Sequence, residues 1–212
     1  MSDIKPVRRR SSLLQERSRR TRQRLIRAAL DTWAERGFET GVEVTTVDEI
    51  VQAAGVTKGT FYFHFARKEE ILLEMGWDTA EVVNEEIRRC IKSGRAIDDS
   101  FKRVIAVLSR YVRAAPPLAV GRALAEFRRT PYDEIAAHGR ATFSEGLTDL
   151  MAAAQSAGQV RPACAPGELA RMIQAIWMEC ILDWTAGEVD LSPALRRRTT
   201  ILLDGMRAQG SQ

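Results

Sequence analysis

Residues 45–68 read TTVDEIVQAAGVTKGTFYFHFARK, and this stretch contains two short helical patterns separated by a glycine. Thr46 and Glu49 have the spacing of a capping box, in which a hydroxyl and a carboxylate satisfy backbone N–H groups at a helix start. Gly55 ends this first helix and permits a sharp turn into the second, residues 58–64. Two short helices joined in this way predict a helix-turn-helix.

The second helix has an apolar side, which holds the geometry, and an exposed side, which faces a major groove of DNA. Lysine and threonine can bond base edges, glycine lets the backbone approach, and tyrosine and histidine can donate to phosphates. The next helix starts with a lysine beside free backbone N–H groups, an arrangement that favours an anion. The predicted DNA-binding residues are Thr46, Lys58, Gly59, Thr60, Tyr62, His64 and Lys68.

The excess positive charge lies at the front of the chain. Residues 1–27 hold ten Lys and Arg against Asp3 and Glu16, whereas residues 71–212 carry no net charge. Such asymmetry favours a polyanionic partner, either nucleic acid or an anionic membrane face. A solvated leader without a partner is the alternative interpretation of charge alone.

Residues 1–18 mix Arg, Ser and Pro with few apolar residues, so we expect a basic, disordered arm. The next segment, 19–66, forms the predicted DNA-binding domain, whose first helix runs from Arg19 to a stop at Gly37. We predict a loop from there to Thr45. The remainder, 67–212, is predicted to be a helical ligand-binding and dimerisation domain.

Further apolar stripes of helical period follow, and we find no alternating strand pattern. One of these helices is predicted to run from Pro131 to about Gly158. The fold class is therefore all-α, with an N-terminal three-helix domain that contains the helix-turn-helix and a larger helical domain after it. The stripes begin near Ile97, Pro117, Pro131, Pro166 and Ser192.

We find no catalytic or metal-binding constellation and no sign of a cofactor. Cys90, Cys164 and Cys180 lack metal or redox spacing. Ser144 has no nucleophile context, and His138 has no neighbouring ligand at metal-binding spacing. We therefore predict that the protein is not an enzyme. It has no apolar run of membrane-spanning length and no signal peptide, so we expect a cytoplasmic protein without a membrane partner.

The motif resembles the signature of the TetR family of transcriptional regulators over residues 45–65 and 68–72. The resemblance covers about residues 19–73. It implies that Thr46, Tyr62 and Lys68 hold phosphates and that residues 58–60 approach bases. It also implies a homodimer, a helical ligand-binding domain, and repression that a small molecule relieves.

Two positions depart from the family pattern. The connection Glu39–Val44 looks longer than usual between the first two helices. Arg67 stands where the family often has a Ser or Asp helix cap, and it removes a cap while offering a further phosphate contact.

The last two helices are predicted to form the dimer interface. The penultimate helix is apolar over much of its surface and needs more than one packing partner. In the family that the motif resembles, these helices pair with their copies, although packing within one chain is the alternative. The predicted interface residues are Ile173, Trp177, Ile181, Trp184, Leu195, Leu202 and Met206.

The helical domain is rich in large apolar and aromatic side chains. Most of them must form a core, but helical proteins line ligand pockets with the same residues and a few polar ones. The predicted pocket residues are Phe101, Leu108, Tyr111, Arg122, Glu126, Phe127, His138, Phe143, Leu147 and Trp177.

These features together predict a homodimeric repressor that binds double-stranded DNA at a palindromic operator and is released by a small, largely apolar ligand. The alternative is a DNA-bound regulator whose helical domain engages a protein partner and has no small-molecule inducer. A ligand-sized apolar cavity favours the first, and a tightly packed core with an exposed patch favours the second.

Overall fold

The computed structural model describes residues 10–131, 135, 139–140 and 142–207, with side chains from Leu14 onward. In these ranges the regular secondary structure is helical, apart from one isolated β-bridge. The all-α prediction is therefore confirmed. The described residues form α1 (Arg10–Glu35), α2 (Gly41–Val44), α3 (Val47–Ala54), α4 (Lys58–His64), α5 (Glu70–Lys92), α6 (Ile97–Arg113), α7 (Pro117–Arg129), α8 (Phe143–Ser156), α9 (Pro166–Thr185) and α10 (Leu191–Met206).

The chain divides into two compact units between Ile71 and Leu72, inside α5. The predicted boundary after residue 66 lies a little earlier, where the sequence shows the end of the helix-turn-helix. A change of packing partners within one continuous helix leaves no local sequence mark. The assignment of separate functions to these segments stays a prediction.

Helix α1 begins at Arg10, ahead of the predicted start at Arg19. The prediction of a disordered arm is therefore wrong for residues 10–18, and residues 1–9 lie outside the described part. Glu16 and Arg20 are four residues apart and form an ion pair of 2.6 Å along the helix. Pairs at this spacing stabilise an exposed helix that has few apolar contacts.

A one-turn helix, α2, interrupts the segment that the sequence predicts as a loop between Gly37 and Thr45. Gly41 begins this helix, and a Cβ atom there would lie 2.8 Å from the backbone oxygen of Trp33. The glycine thus lets α2 pack directly against the backbone of α1. That close approach holds the connection between α1 and α3 against α1.

The ends of α3 and α4 follow the predicted capping pattern. Thr46 N donates to Glu49 Oε2 at 2.8 Å, and Glu49 N donates to Thr46 Oγ1 at 3.3 Å. Gly55 ends α3 with a left-handed φ of 62°, which glycine adopts without steric cost. Thr57 then caps α4 by accepting from the backbone N–H of Thr60. These local bonds fix the turn between the two helices.

In the second unit, α9 packs against α7, α8 and α10, and α10 also packs against α6. Trp177 on α9 is buried and makes an edge-on contact with Phe101, with ring centroids 6.0 Å apart. Its indole N–H donates to Thr199 Oγ1 at 2.9 Å, so the polar atom of this large side chain is satisfied inside the core.

The predicted single helix from Pro131 to about Gly158 is wrong. Gly139 has a left-handed φ of 60° and Thr142 is extended, so α8 begins only at Phe143. The apolar spacing continues across this break and conceals it.

Among the described residues, no helix is both long and apolar enough to cross a lipid bilayer.

Candidate nucleic-acid interface and internal cavity

Helix α4 has one buried face and one exposed face. Phe61 and Phe65 are buried, as the sequence predicts. With 3.6 residues per turn, Gly59 and Phe63 lie on the opposite side of the helix. Tyr62 lies beside them and is 57% exposed. The exposed face is thus presented by a rigid, well-packed helix.

The polar groups at the start of α4 are engaged with neighbouring groups. Lys58 Nζ lies 2.8 Å from Asp48 Oδ2, and this hydrogen bond raises the pKa of Lys58. Thr60 Oγ1 lies 2.9 Å from Thr57 Oγ1. Both Lys58 and Asp48 are well exposed, so the ion pair is weak and exchangeable. A base edge or phosphate can therefore compete for the ammonium group.

Three predicted phosphate-binding residues come together in one depression. Thr46, Tyr62 and Lys68 line an open hollow of about 310 Å³, and Arg67 contributes to the same wall. Their side chains come from the N-cap of α3, from α4 and from the segment before α5. The structure thus brings together residues that are spread over more than twenty positions of the sequence.

Lys68 also has a structural role that the sequence does not reveal. Its ammonium group donates to the backbone oxygens of Glu43 and Thr45, at 2.9 and 2.6 Å. It therefore ties the end of α2 to the segment that leads into α5.

The missing cap at Arg67 is compensated nearby, because Glu70 Oε2 accepts from the backbone N–H of Ala66.

His64 is half-buried at the end of α4. Burial, and secondarily the charge of Arg22, lower the pKa of the imidazole. A neutral imidazole at physiological pH can contact a phosphate as a hydrogen-bond donor but not as a cation. Arg22 itself donates to the His64 backbone oxygen at 2.7 Å and lies over the Phe65 ring.

Arg24 donates to the backbone oxygens of Ala54 and Gly55 at the end of α3. Arg22 and Arg24, two of the basic residues that make the front of the chain positive, therefore hold the helix-turn-helix together. Exposed arginines on α1 remain at Arg17, Arg19, Arg20 and Arg27.

The second unit contains an apolar cavity of about 100 Å³. It lies among α5, α6, α7 and α9 and the start of α8. The lining residues with polar side-chain atoms are Trp77, Thr79, Tyr111, Thr142 and Gln174. The lining residues are Leu72, Leu73, Met75, Gly76, Trp77, Thr79, Ala80, Leu108, Tyr111, Val112, Ala115, Val120, Ala123, Leu124, Phe127, Thr142, Phe143, Gln174, Met178 and Ile181.

Four of the predicted pocket residues line this cavity: Leu108, Tyr111, Phe127 and Phe143. The other described ones do not line it. Phe101, Leu147 and Trp177 belong to the packed core, Glu126 is buried in an ion pair with Arg129, and Arg122 lies elsewhere on α7. His138 lies outside the described residues.

The sequence prediction missed the wall that α5 provides. Gly76 lies within that helix, and a Cβ there would meet no atom within 4 Å. A glycine inside an otherwise regular helix is the one local signal of this space. Met178 of α9 lines the cavity as well.

Arg140 fastens the segment before α8 to α5. Its guanidinium lies 2.9 Å from Asp78 Oδ1 and 3.4 Å from buried Glu74 Oε2. It also lies over the ring of Trp77, 5.9 Å from the centroid. Since Trp77 and Thr142 line the cavity, this ion-pair cluster holds two parts of the wall together.

The predicted dimer-interface residues separate into two groups. Ile173, Trp177, Ile181 and Leu195 are buried within their own unit, so they are not available to a second copy. Trp184, Leu202 and Met206 are half-buried. The apolar residues that α9 and α10 leave most exposed are Met172 and Ile201, the latter at 66%.

A helix-turn-helix with an exposed outer face, followed by a helical unit with an apolar cavity, defines a class of DNA-binding transcriptional regulators. Family comparisons specify it further. Residues 25–75 match bacterial regulatory proteins of the tetR family, and residues 106–208 match the SbtR-like transcriptional regulator C-terminal domain. The chain belongs to the TetR family of transcriptional regulators.

Curated relatives match only part of the chain. The regulator TcmR of Streptomyces glaucescens is 46% identical over 61 residues, which cover 29% of this chain and 25% of TcmR. The probable acrEF/envCD operon repressor of Escherichia coli K12 is 31% identical over 99 residues, covering 46% and 43%. The matched segments thus span less than half of these relatives.

A solved structure matches nearly the whole chain. Thermus thermophilus FadR, a TetR family repressor in complex with lauroyl-CoA, has a TM-score of 0.73 and 25% identity, covering 90% of this chain and 97% of that one. The repressor SmeT of Stenotrophomonas maltophilia has a TM-score of 0.64 and 20% identity, covering 89% of this chain and 91% of that one, and shows the shared fold.

Proposed function

We propose that the protein is a homodimeric transcriptional repressor that is released from a palindromic operator by a small, largely apolar ligand. The observation that carries this proposal is the common hollow of Thr46, Tyr62 and Lys68 beside the exposed face of α4. Hydroxyl, phenol and ammonium groups converge there from three elements. This is the chemistry that grips a phosphate on either side of a groove.

In this proposal Thr46, Tyr62 and Lys68 bind phosphates, and residues 58–60 approach bases. His64 adds a neutral donor at the helix end. Gly59 supports the assignment, because a Cβ there would meet no atom closer than 3.8 Å within the protein. Internal packing does not require this glycine, which weakens the helix by about 1 kcal/mol relative to alanine. Close approach to DNA explains it.

A dimer is required to give this interface its specificity. Two copies of α4 reach successive major grooves when they are about 34–36 Å apart, and a twofold dimer then selects a palindrome. The proposed interface uses the outer faces of α9 and α10, including Met172, Ile201 and Leu202. Trp184 and Met206 lie at its margin.

The cavity supports a small-molecule effector. Its wall is almost entirely apolar, with a few polar groups able to orient a ligand. Thermus thermophilus FadR binds an acyl-CoA, so an acyl chain is a suitable first probe. A ligand that favours one separation of the two α4 helices shifts the dimer away from the operator-binding arrangement.

The apolar cavity favours this proposal over a regulator that engages only a protein partner. The function proposed needs no cofactor, metal or catalytic step. We propose a cytoplasmic location, since double-stranded DNA is the partner.

DNA binding can be tested by fluorescence anisotropy with duplexes that flank the protein's own coding region. We expect one duplex to bind far more tightly than a scrambled one, with an affinity that falls as salt rises. If no duplex from those regions or from a random-sequence pool is preferred, the proposal is wrong.

Ligand binding can be tested by thermal unfolding and by DNA release with lauroyl-CoA as the probe. We expect Ala123→Phe, which fills the cavity, to abolish both the thermal shift and the release. Ala125→Phe is the matched control, because Ala125 is exposed on the same helix and does not line the cavity. If both variants respond equally to lauroyl-CoA, the cavity is not the ligand-binding site.

A further inference from the structure

Phe63 is the most exposed large apolar side chain in the part of the chain whose side chains are described. It is 77% exposed and lies on the outer face of α4. Its main ring contact is an edge-on arrangement with His64, at 5.0 Å between centroids. It therefore adds almost nothing to the packing of its own unit, and its size is unexplained by the fold.

The position of Phe63 relative to Gly59 is informative. The two residues are one helical turn apart on the side opposite Phe61 and Phe65. Side chains on a helix lean toward its N-terminus, so the Phe63 ring leans over the turn that contains Gly59. Because Gly59 has no side chain, the ring lies beside bare backbone. The surface at this point therefore combines an exposed apolar ring with open backbone, which a groove floor can approach.

The chemistry of phenylalanine restricts what it can contact there. Its ring has no donor for a phosphate, whereas neighbouring Tyr62 has one. Among the base edges of the major groove, only thymine presents an apolar group, its C5 methyl. We propose that Phe63 is a specificity-determining residue that packs against the C5 methyl of a thymine in each operator half-site. This inference rests on the proposed function as a DNA-binding regulator.

The test removes one methyl group at a time. The preferred duplex is selected from a random-sequence pool with the full chain, and each thymine is then replaced by deoxyuridine, which lacks the C5 methyl but pairs identically. Loss of one buried methyl corresponds to about a fourfold weaker affinity. We expect that loss at one symmetric position of each half-site.

The second arm repeats the substitutions with Phe63→Ala. The variant should bind more weakly than the wild type and should be insensitive to deoxyuridine at that same position. Phe63→Tyr keeps the ring and should keep the sensitivity. Leu118→Ala is the control, because it removes an exposed apolar side chain from the second unit and should behave as the wild type.

Each outcome is decisive. Sensitivity at one thymine that disappears only in Phe63→Ala supports the inference. Unchanged sensitivity in that variant, or no sensitive thymine in the wild type, overturns it while DNA binding itself stands. If the wild type selects no sequence, both the proposed function and this inference fail. Unchanged thermal unfolding of Phe63→Ala shows that the variant is folded.

Discussion

Replacing Gly146 with alanine tests how closely α5 and α8 are packed. Gly146 is buried in α8, and a Cβ added there would lie 2.8 Å from Asn84 Cγ, closer still to Asn84 Oδ1, and 3.2 Å from Ile87 Cδ1. Asn84 cannot move freely, because it is 2% exposed and its Nδ2 donates to the backbone oxygen of Thr142 at 2.9 Å.

Three effects set the size of the change. Overpacking a buried contact costs about 1–3 kcal/mol. Displacing Asn84 also breaks a buried hydrogen bond, at about 1–3 kcal/mol. The better helix propensity of alanine returns about 1 kcal/mol. The two costs exceed the gain, and we expect the free energy of unfolding to fall by about 3 kcal/mol.

Urea unfolding followed by tryptophan fluorescence measures this change, because Trp77, Trp177 and Trp184 report on the second unit. Gly76→Ala is the matched control, since it lies within α5 and its Cβ would meet no atom within 4 Å. That variant should be more stable than the wild type by up to about 1 kcal/mol.

An Asn84→Ala background isolates the clash. There the alanine at position 146 no longer meets the amide, so adding Gly146→Ala should cost much less than it does in the wild type. If Gly146→Ala and Gly76→Ala are equally stabilising, or if the Asn84→Ala background changes nothing, the proposed contact between α5 and α8 is wrong.

Three further predictions concern the helix-turn-helix and the proposed dimer interface. The hydrogen bond from Arg36, aided by the backbone and hydroxyl of Thr46, lowers the pKa of Glu49 from 4.5 to about 2. The stability that this carboxylate adds is therefore present above pH 4.5 and is lost as the pH falls toward 2. Glu49→Gln should remove this pH dependence, as measured by urea titrations at several pH values. Lys68→Met should weaken binding to all duplexes and reduce the slope of log affinity against log salt concentration by about one. Thr60→Ala should instead change the preferred sequence. If the two variants behave alike, the distinction between phosphate-binding and base-reading residues is wrong. Ile201→Glu should yield monomers in analytical ultracentrifugation, and an unchanged dimer would exclude that face.

The helix-turn-helix could be predicted from sequence because local chemistry determines it. The capping box at Thr46 and the left-handed turn at Gly55 depend on residues within four positions of one another, and both occur in the structure. Likewise, Phe61 and Phe65 fall on the buried face because their spacing alone requires it. The same helical spacing places Tyr62 on the exposed side of α4. Lys68 lies beside Tyr62 in the hollow.

The cavity could not be predicted in the same way. Phe101 and Phe127 have similar local patterns, yet the first packs on Trp177 and the second borders the cavity. Which apolar side chain meets a gap depends on how helices from distant segments cross. The dimer-interface prediction meets the same difficulty at Ile173, which is buried within its own unit, since an apolar stripe does not specify whether its partner is in the same chain.

The contacts of Arg22 and Arg24 with backbone oxygens have an electrostatic consequence. These oxygens are at the C-terminal ends of α4 and α3, where a helix dipole concentrates about half a negative charge. Each guanidinium neutralises that partial charge close to the surface proposed to meet phosphates. Alanine at either position would therefore weaken DNA binding without removing any DNA contact. Lysine at position 22 would keep the charge but would lose the planar guanidinium that lies over the Phe65 ring, so it would not restore binding fully.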